Sequence, residues 1–413
     1  MRATAVCIVM LLAVGIAGSA HAQDQQPWWQ WSTIDGNWGG YRQTLSDRGL
    51  VFSGSSVNDL QGNVSGGTHK DYAFADSTLL ALDVDLGTLA GVKGLLFHAE
   101  FVGQMGQNLS SKSLNNVLQV ATAYSQRGYY LGQMYAQQKF FDGVFKLQAG
   151  RMTTASNFAN LPVFGDYVAF TINPNPISLV NNTIYFTSLP SVEWATVATI
   201  TPNERINFGV GVYNTNLPSG LPFGSRHGVD FSFTGSGGPM EVGQFAYNLN
   251  MGSDDTGLPG MYYLGGFYSG ANYSPLTGGA TRKGDYGFYW QAQQMVYRPG
   301  GPGSDVGLTP WIAITYNPQQ AINQLPVFVS AGAAYRGLVP GRSDDTAALG
   351  FFDGQLSSHL PAHTGEKVLE VAYNWFATPW LVITPDVQYV FNPSGGSSST
   401  NAAVLGTQVM VIF

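Results

Sequence analysis

The chain has 413 residues, a net charge of −7, 10% charged side chains, 13% aromatics and 52 glycines, at a mean hydropathy of zero. Globular domains carry roughly 25% charged residues and about 7% glycine, so this chain has under half the usual charge and nearly twice the usual glycine. So many aromatics exclude a disordered chain, and 18 Lys+Arg against 25 Asp+Glu leave no cationic surplus for nucleic-acid phosphates.

Residues 1–22 have the pattern of an export signal. Met1-Arg2 is a short positive start, Ala5 to Gly18 is an apolar run, and Ala20-His21-Ala22 is a small-x-small cleavage site. The single cysteine, Cys7, sits in the middle of that run, which argues against a lipid-modified N-terminus. From Gln23 onward the chain has no thiol, so disulfides, cysteine nucleophiles and zinc-thiolate sites are excluded together. Residues 23–49 are expected to form a periplasmic N-terminal segment with a short helix. Within it, Trp28-Trp29-Gln30-Trp31 is either an anchor at the inner membrane interface or part of a mobile tail.

Beyond residue 50 no stretch reaches the ~18 apolar residues of a membrane helix; period two fills the chain instead. Leu80, Leu82, Val84 and Leu86 alternate with Ala81, Asp83 and Asp85, and Leu95, Phe97, Ala99 and Phe101 with Leu96, His98 and Glu100. The alternation recurs at Ile206 to Val212, Tyr286 to Ala292 and Leu381 to Tyr389. Each such segment has one apolar and one polar face. A soluble β-sandwich shows the same alternation, so the loops carry the distinction. Strands are expected near 50–60, 77–86, 95–102, 129–140, 144–151, 191–200, 205–213, 227–234, 241–251, 261–271, 284–297, 306–316, 326–338, 367–376, 380–391 and 403–413. Asp142-Gly143, Thr201 to Glu204 and Ala377 to Pro379 are short connections at one end; 103–128, 152–190, 214–226 and 339–366 are long. An even strand count with short turns at one rim and long loops at the other is the plan of an outer-membrane barrel with both termini on the periplasmic side. The expected fold is therefore all-β: a 16-stranded antiparallel transmembrane β-barrel over 50–413, with short periplasmic turns and long extracellular loops. Leu405, Thr407, Val409, Val411 and terminal Phe413 share one parity, resembling the signature by which barrel assembly machinery reads its clients.

Several stretches resemble the carbohydrate-selective porin family, called OprB-like. Gly36-Asn37-Trp38-Gly39-Gly40-Tyr41-Arg42, with Leu45 and Arg48-Gly49-Leu50, is similar to that family's opening motif. Leu147-Gln148-Ala149-Gly150-Arg151, Ser191-Val192-Glu193-Trp194-Ala195 and Thr384-Pro385-Asp386-Val387-Gln388-Tyr389-Val390 with Asn392-Pro393 resemble later family segments. The resemblance spans both ends and the first half, leaving roughly 214–330 unmatched. It implies a 16-stranded barrel and a passive channel for glucose and similar sugars. The low charge departs from the family, whose constriction uses charged side chains.

If apolar side chains face lipid, the alternate positions face water: Asp83, Asp85, His98, Glu100, Lys146, Gln148, Glu193, Arg205, Asn207, Gln291, Asp386 and Gln388. Arg or Lys at the lipid midplane costs ~2–4 kcal/mol, so wall charges should point inward. Arg151 shares the parity of Leu147 and Ala149 and is expected past its strand's end, at the root of the 152–190 loop. That loop is expected to fold into the lumen and narrow it; the alternative is a cap facing the medium. Sugars stack C–H faces on aromatic rings and pair hydroxyls with amides, carboxylates and guanidinium forks. Tyr129, Tyr130, Tyr135 and Tyr289 are the stacking candidates.

Enzyme signatures are poor and no cofactor or metal is expected. His359 and His363 have metal-like spacing, but Pro361 opposes a helix between them. Asp254-Asp255 and Asp344-Asp345 fall in expected outer loops, suited to solvation or weak calcium contact. A sugar porin is the expectation, with lipid, sugars and the assembly machinery as partners. The alternatives are a general or ion-selective porin, a secreted all-β carbohydrate-binding protein or glycosidase, or a plugged structural barrel.

Overall fold

The computed structural model describes residues 26–123, 127–215, 227–233, 237–252, 255–396 and 399–413; the export signal at 1–22 lies outside the described residues. Sixteen strands form one closed antiparallel barrel in which each strand pairs with its sequence neighbours and the first pairs with the last. They are β1 (Leu50–Gly67), β2 (Asp71–Asp85), β3 (Leu95–Gly106), β4 (Gly128–Phe140), β5 (Phe145–Met152), β6 (Glu193–Asn203), β7 (Ile206–Tyr213) and β8 (Met240–Leu249). The second half comprises β9 (Gly260–Tyr273), β10 (Arg282–Gln294), β11 (Gly307–Tyr316), β12 (Val327–Arg336), β13 (Thr346–Gln355), β14 (Glu366–Thr378), β15 (Leu381–Phe391) and β16 (Thr400–Ile412). Among the described residues no helix is long and apolar enough to cross a membrane.

Period-two patterning accounts for the wall. Leu80, Phe101, Val210, Phe288, Val387 and Leu405 are exposed on the outer face, while their neighbours Ala81, Val102, Tyr289 and Val404 are buried inside. An apolar outer band with a differently composed interior is what a bilayer around the barrel demands. Polar side chains also occur on the outer parity: Asp76 opposes Asn58, and Ser56 donates to its carboxylate at 3.0 Å.

Two strand assignments differ from the expectation, and they compensate in the count. Residues 346–355, expected inside a long loop, are β13. The strand hides because its inner face, Ala348, Gly350, Phe352 and Gly354, packs on an inserted apolar loop and therefore carries no polar alternation. Conversely, residues 227–233 alternate like a strand yet form none; 234 lies outside the described residues. The segment lies over the outer side of the wall, where the Leu131 N–H donates to His227 O and the Phe231 ring meets Trp194.

The described N-terminal residues 26–49 and the end of β16 lie at one rim, which also carries the short links at 141–144, 204–205 and 379–380. This rim is not uniformly short, since 250–259, 295–306 and 337–345 also lie there, and the opposite rim has the brief link 68–70. Asp255, Asp344 and Asp345, expected in outer loops, belong to the terminal rim. Asp255 faces Arg205 at 3.5 Å, and Arg342 grips Asp345 at 2.7 and 2.8 Å while Arg336 holds Asp344 at 3.1 Å. They are ion-pair partners; Asp254 lies outside the described residues.

The N-terminal segment packs against the seam between β1 and β16. Helix α1 (Tyr41–Asp47) places Arg42 so that its guanidinium donates to Phe413 O at 2.8 Å, Phe52 O at 2.9 Å and Asp35 at 2.8 Å. The Trp38 ring lies 5.1 Å from that guanidinium, and left-handed Gly39 and Gly40 let the chain turn from ring to helix. Trp28 packs on Trp380 at 5.2 Å, which ties the tryptophan-rich stretch to the barrel rim.

Candidate functional site

Two long connections at the far rim enter the barrel, and the polar inner wall fastens them. Residues 153–192, between β5 and β6, cross to the far wall. There Ala159 N–H donates to Gln244, Val163 N–H to Gln293 and Val168 N–H to Glu370, while Asn374 donates to Asp166 O. The returning limb exchanges two bonds between Asn182 and Leu325. At its turn, Tyr167 sits among Trp311 and Phe352, accepting from Trp311 Nε1 at 2.7 Å and donating to Leu349 O at 2.9 Å. Gly332 and Gly350 make this possible, because a Cβ at either would come within 2.7 Å of the Tyr167 ring or hydroxyl. Burial pushes the Tyr167 phenol's pKa up, so it stays a donor.

Residues 107–123, after β3, cover the wall near the seam. Glu366 accepts from Val117, Leu118 and Ser394 N–H groups; Asp59 accepts from Ala123; Gln61 and Gln388 both donate to Val120 O. The two insertions touch where Thr171 donates to Gln119 O at 3.0 Å. Buried polar groups require partners, and here wall carboxylates and amides meet the loop backbone.

Along β2 to β5 the inward polar groups are unevenly covered: Asp83 stays partly exposed, whereas Glu100 and Gln148 are buried. His98 Nδ1 is 2.7 Å from Asp83 Oδ1, and its Nε2 is 3.5 Å from Glu100 Oε2. Glu100 also accepts from Gln133 N–H, and Tyr135 stacks on the His98 ring at 4.8 Å. Strand register causes this grouping, since Asp83 opposes His98 and His98 opposes Tyr135. Asp83 keeps 34% of its side chain exposed against 13% for His98, so a carboxylate and an aromatic face border the opening. Gln148, on the adjacent strand, and Lys146, opposite Lys139, extend this inward face toward the terminal rim. The arrangement offers a ring face, carboxylates, an amide and an ammonium within one wall.

The other expected positions divide differently. Asp386, Gln388 and Gln291 point inward but are covered: Gln388 donates to Asp386 and Val120 O, Gln291 to Ala159 O. Glu193 is buried at the start of β6. Asp85 caps helix α2 (Leu86–Ala90), accepting from Gly87 and Thr88 N–H groups. Asn207 bonds Thr201 near the terminal rim. Arg205 lies in the rim turn with 57% of its side chain exposed, away from the opening. Arg151 is not past its strand's end: it is the penultimate residue of β5, on the outward parity, bonded to Gly228 O and covered by the Phe231 ring at 5.2 Å. Of the stacking candidates, Tyr129 faces outward with 60% exposure, Tyr289 is sealed behind the inserted loop and Tyr130 is buried, which leaves Tyr135. Sequence inspection missed the fasteners Asp59, Gln61, Glu366, Glu370 and Tyr167. Glu370 carried a signal, a lone charge between Leu369 and Val371, whereas Tyr167 carried none.

A closed 16-stranded barrel with an apolar outer belt and loops folded into a polar lumen is an outer-membrane porin. The family model for "Carbohydrate-selective porin, OprB family" matches residues 69–413, and the chain belongs to that family. It is similar to Porin B of Pseudomonas aeruginosa, at 25% identity over 98% of this chain and 97% of that one. The high-pH structure of Pseudomonas putida OprB superposes with a TM-score of 0.82 at 23% identity, covering 93% of this chain and 99% of the other. The low-pH structure of the same protein gives 0.63 at 19% identity over the same shares.

Proposed function

We propose that this porin passes neutral sugars of glucose size by passive diffusion, selecting them beside Asp83, His98, Tyr135 and Lys146, with Glu100 and Gln148 buried behind them. The single observation behind this reading is the Asp83–His98–Glu100 array with Tyr135 stacked on it, a group of expected site residues that register brings together and whose Asp83 carboxylate stays partly exposed. A sugar can lay a C–H face against the ring while hydroxyls exchange hydrogen bonds with the Asp83 carboxylate and the Lys146 ammonium. Such contacts are individually weak, and permeation needs a site that releases its occupant. The terminal rim is then periplasmic and the inserted loops enter from outside. No catalytic step is needed. Phe413 is bonded through its backbone to Gly54 and Arg42 once the barrel is closed, so assembly machinery would meet it before closure.

The test is single-channel conductance of the folded protein in a planar bilayer, titrated with glucose and then with a disaccharide. Saturable block by glucose, weakened at least tenfold in Tyr135→Ala and His98→Ala, is the expected result. Conductance indifferent to sugar would instead make this a general or ion-selective porin, and block unchanged in both variants would move the site elsewhere.

A further inference from the structure

At the far rim, outside the sugar path, the start of the loop after β3 and the ends of β3 and β4 border an open cleft of about 400 Å³ lined by Gly106, Gln107, Asn108, Ser111, Lys112 and Arg127. Two cationic side chains share it. Lys112 Nζ reaches outward, 2.7 Å from Tyr72 O and 5.4 Å from the Tyr72 ring centre. It also pairs with Asp71 at 3.0 Å, a carboxylate that His69 faces at 3.7 Å. Arg127 donates through Nε to Gly106 O at 2.8 Å, and among the described residues no carboxylate pairs with its guanidinium. Asp71 therefore offsets one charge and leaves one, presented as a planar fork suited to a phosphate.

Position sets the source of that phosphate. Directly beneath the cleft, Tyr72, Phe74, Phe101, Met105 and Tyr129 form an exposed apolar and aromatic strip on the outer wall, and Phe101 stacks with Tyr129 at 6.1 Å. Aromatic belts mark the level where acyl chains give way to headgroups. A ligand with a phosphate above and acyl chains below can use the cations and the strip together, which a free phosphate cannot.

From this geometry we infer that the Lys112–Arg127 cleft is a binding site for the phosphorylated headgroup of an acylated glycolipid in the surrounding outer leaflet. The inference rests on the proposed orientation, in which the far rim faces outward. Bound lipid would buttress the loop 107–127 from outside while wall carboxylates hold it from within, and neither cation takes part in the sugar path.

Full-length protein, purified in detergent and stripped of lipid, is analysed by native mass spectrometry and tryptophan-fluorescence titration. The probes are an acylated glucosamine disaccharide bisphosphate, its dephosphorylated counterpart and inorganic phosphate. Wild type should retain the bisphosphate at least tenfold more tightly than either other probe. The doubly substituted K112Q/R127Q protein should lose that margin, while Lys93→Gln, at the opposite rim, should keep it. Unchanged heat-modified mobility on gels shows that each variant folds. Equal retention by wild type and K112Q/R127Q overturns the site, and inorganic phosphate bound as tightly as the lipid overturns the lipid as its source. Glucose block is recorded on the same preparations. A protein that conducts and is blocked by sugar yet ignores the lipid refutes this inference alone, whereas loss of sugar block in wild type refutes the transport reading alone.

Discussion

Replacing Tyr167 by Phe removes one oxygen from the far side of the barrel, and the structure says what that oxygen holds. It accepts the Trp311 indole N–H at 2.7 Å and donates to Leu349 O at 2.9 Å, inside a cluster of Phe164, Trp311 and Phe352 that excludes water. After the substitution the indole N–H stays buried without an acceptor, which costs about 1–3 kcal/mol. At about 1.4 kcal/mol per factor of ten, the unseated population of the 153–192 loop should rise roughly 5- to 150-fold. The barrel itself should persist, because its closed sheet does not include this bond. Tyr167→Ala sets the upper limit, since deleting a buried aromatic typically costs about 3–5 kcal/mol. Single-channel records should show greater open-level noise, and liposome swelling should show faster disaccharide entry with glucose entry little changed. If Tyr167→Phe leaves noise, disaccharide exclusion and protease resistance of the loop at wild-type levels, the claim that this hydroxyl seats the loop is wrong.

Four further outcomes follow from the same contacts. Glu366→Gln replaces one acceptor oxygen with a donor facing N–H groups, costing about 1–3 kcal/mol, so the amides of Val117, Leu118 and Ser394 should exchange hydrogen faster; unaltered rates would dismiss Glu366 as a fastener. Asp166, within the inserted loop, has its pKa raised by burial from 3.8 to about 7, with the Arg336 charge pulling back. A raised acid contributes its stability below its free value and loses it as pH climbs through the folded value. The loop should therefore seat more firmly near pH 4 than at pH 8; Asp166→Asn should weaken that dependence, and channel noise across this range measures it. Arg42→Ala removes the bonds to Phe413 O and Phe52 O and should lower the temperature of the heat-modified gel shift, by about 1–2 kcal/mol of stability, with sugar block preserved. Arg205→Ala should leave glucose affinity unchanged, because its side chain sits in a rim turn beside Asp255; altered affinity would place that turn in the path.

The sequence by itself determined the barrel. Period-two segments such as Leu80 to Asp85 specify which face meets lipid, since a one-residue slip would expose every polar side chain to the bilayer, and the family follows from the motifs, whereas the count of sixteen agreed only because the missed β13 offset a false strand at 227–233. The group Asp83, His98 and Glu100 was also legible, because Asp83 lies on the inward parity of β2 and His98 and Glu100 on that of the adjacent β3. What only the tertiary structure decided is which inward polar residues meet water. Asp386, Gln388 and Gln291 have the same parity as His98 but lie beneath loops that return from distant parts of the chain. The same insertion gives β13 an apolar inner face and hides it from pattern recognition, while 227–233 imitates a strand because it lies on an apolar outer surface. Alternation reports only that two sides of a segment differ. Whether the inner side faces solvent or a buried loop depends on contacts between residues far apart in sequence, such as Tyr167 with Trp311 and Val117 with Glu366, and no local pattern encodes them.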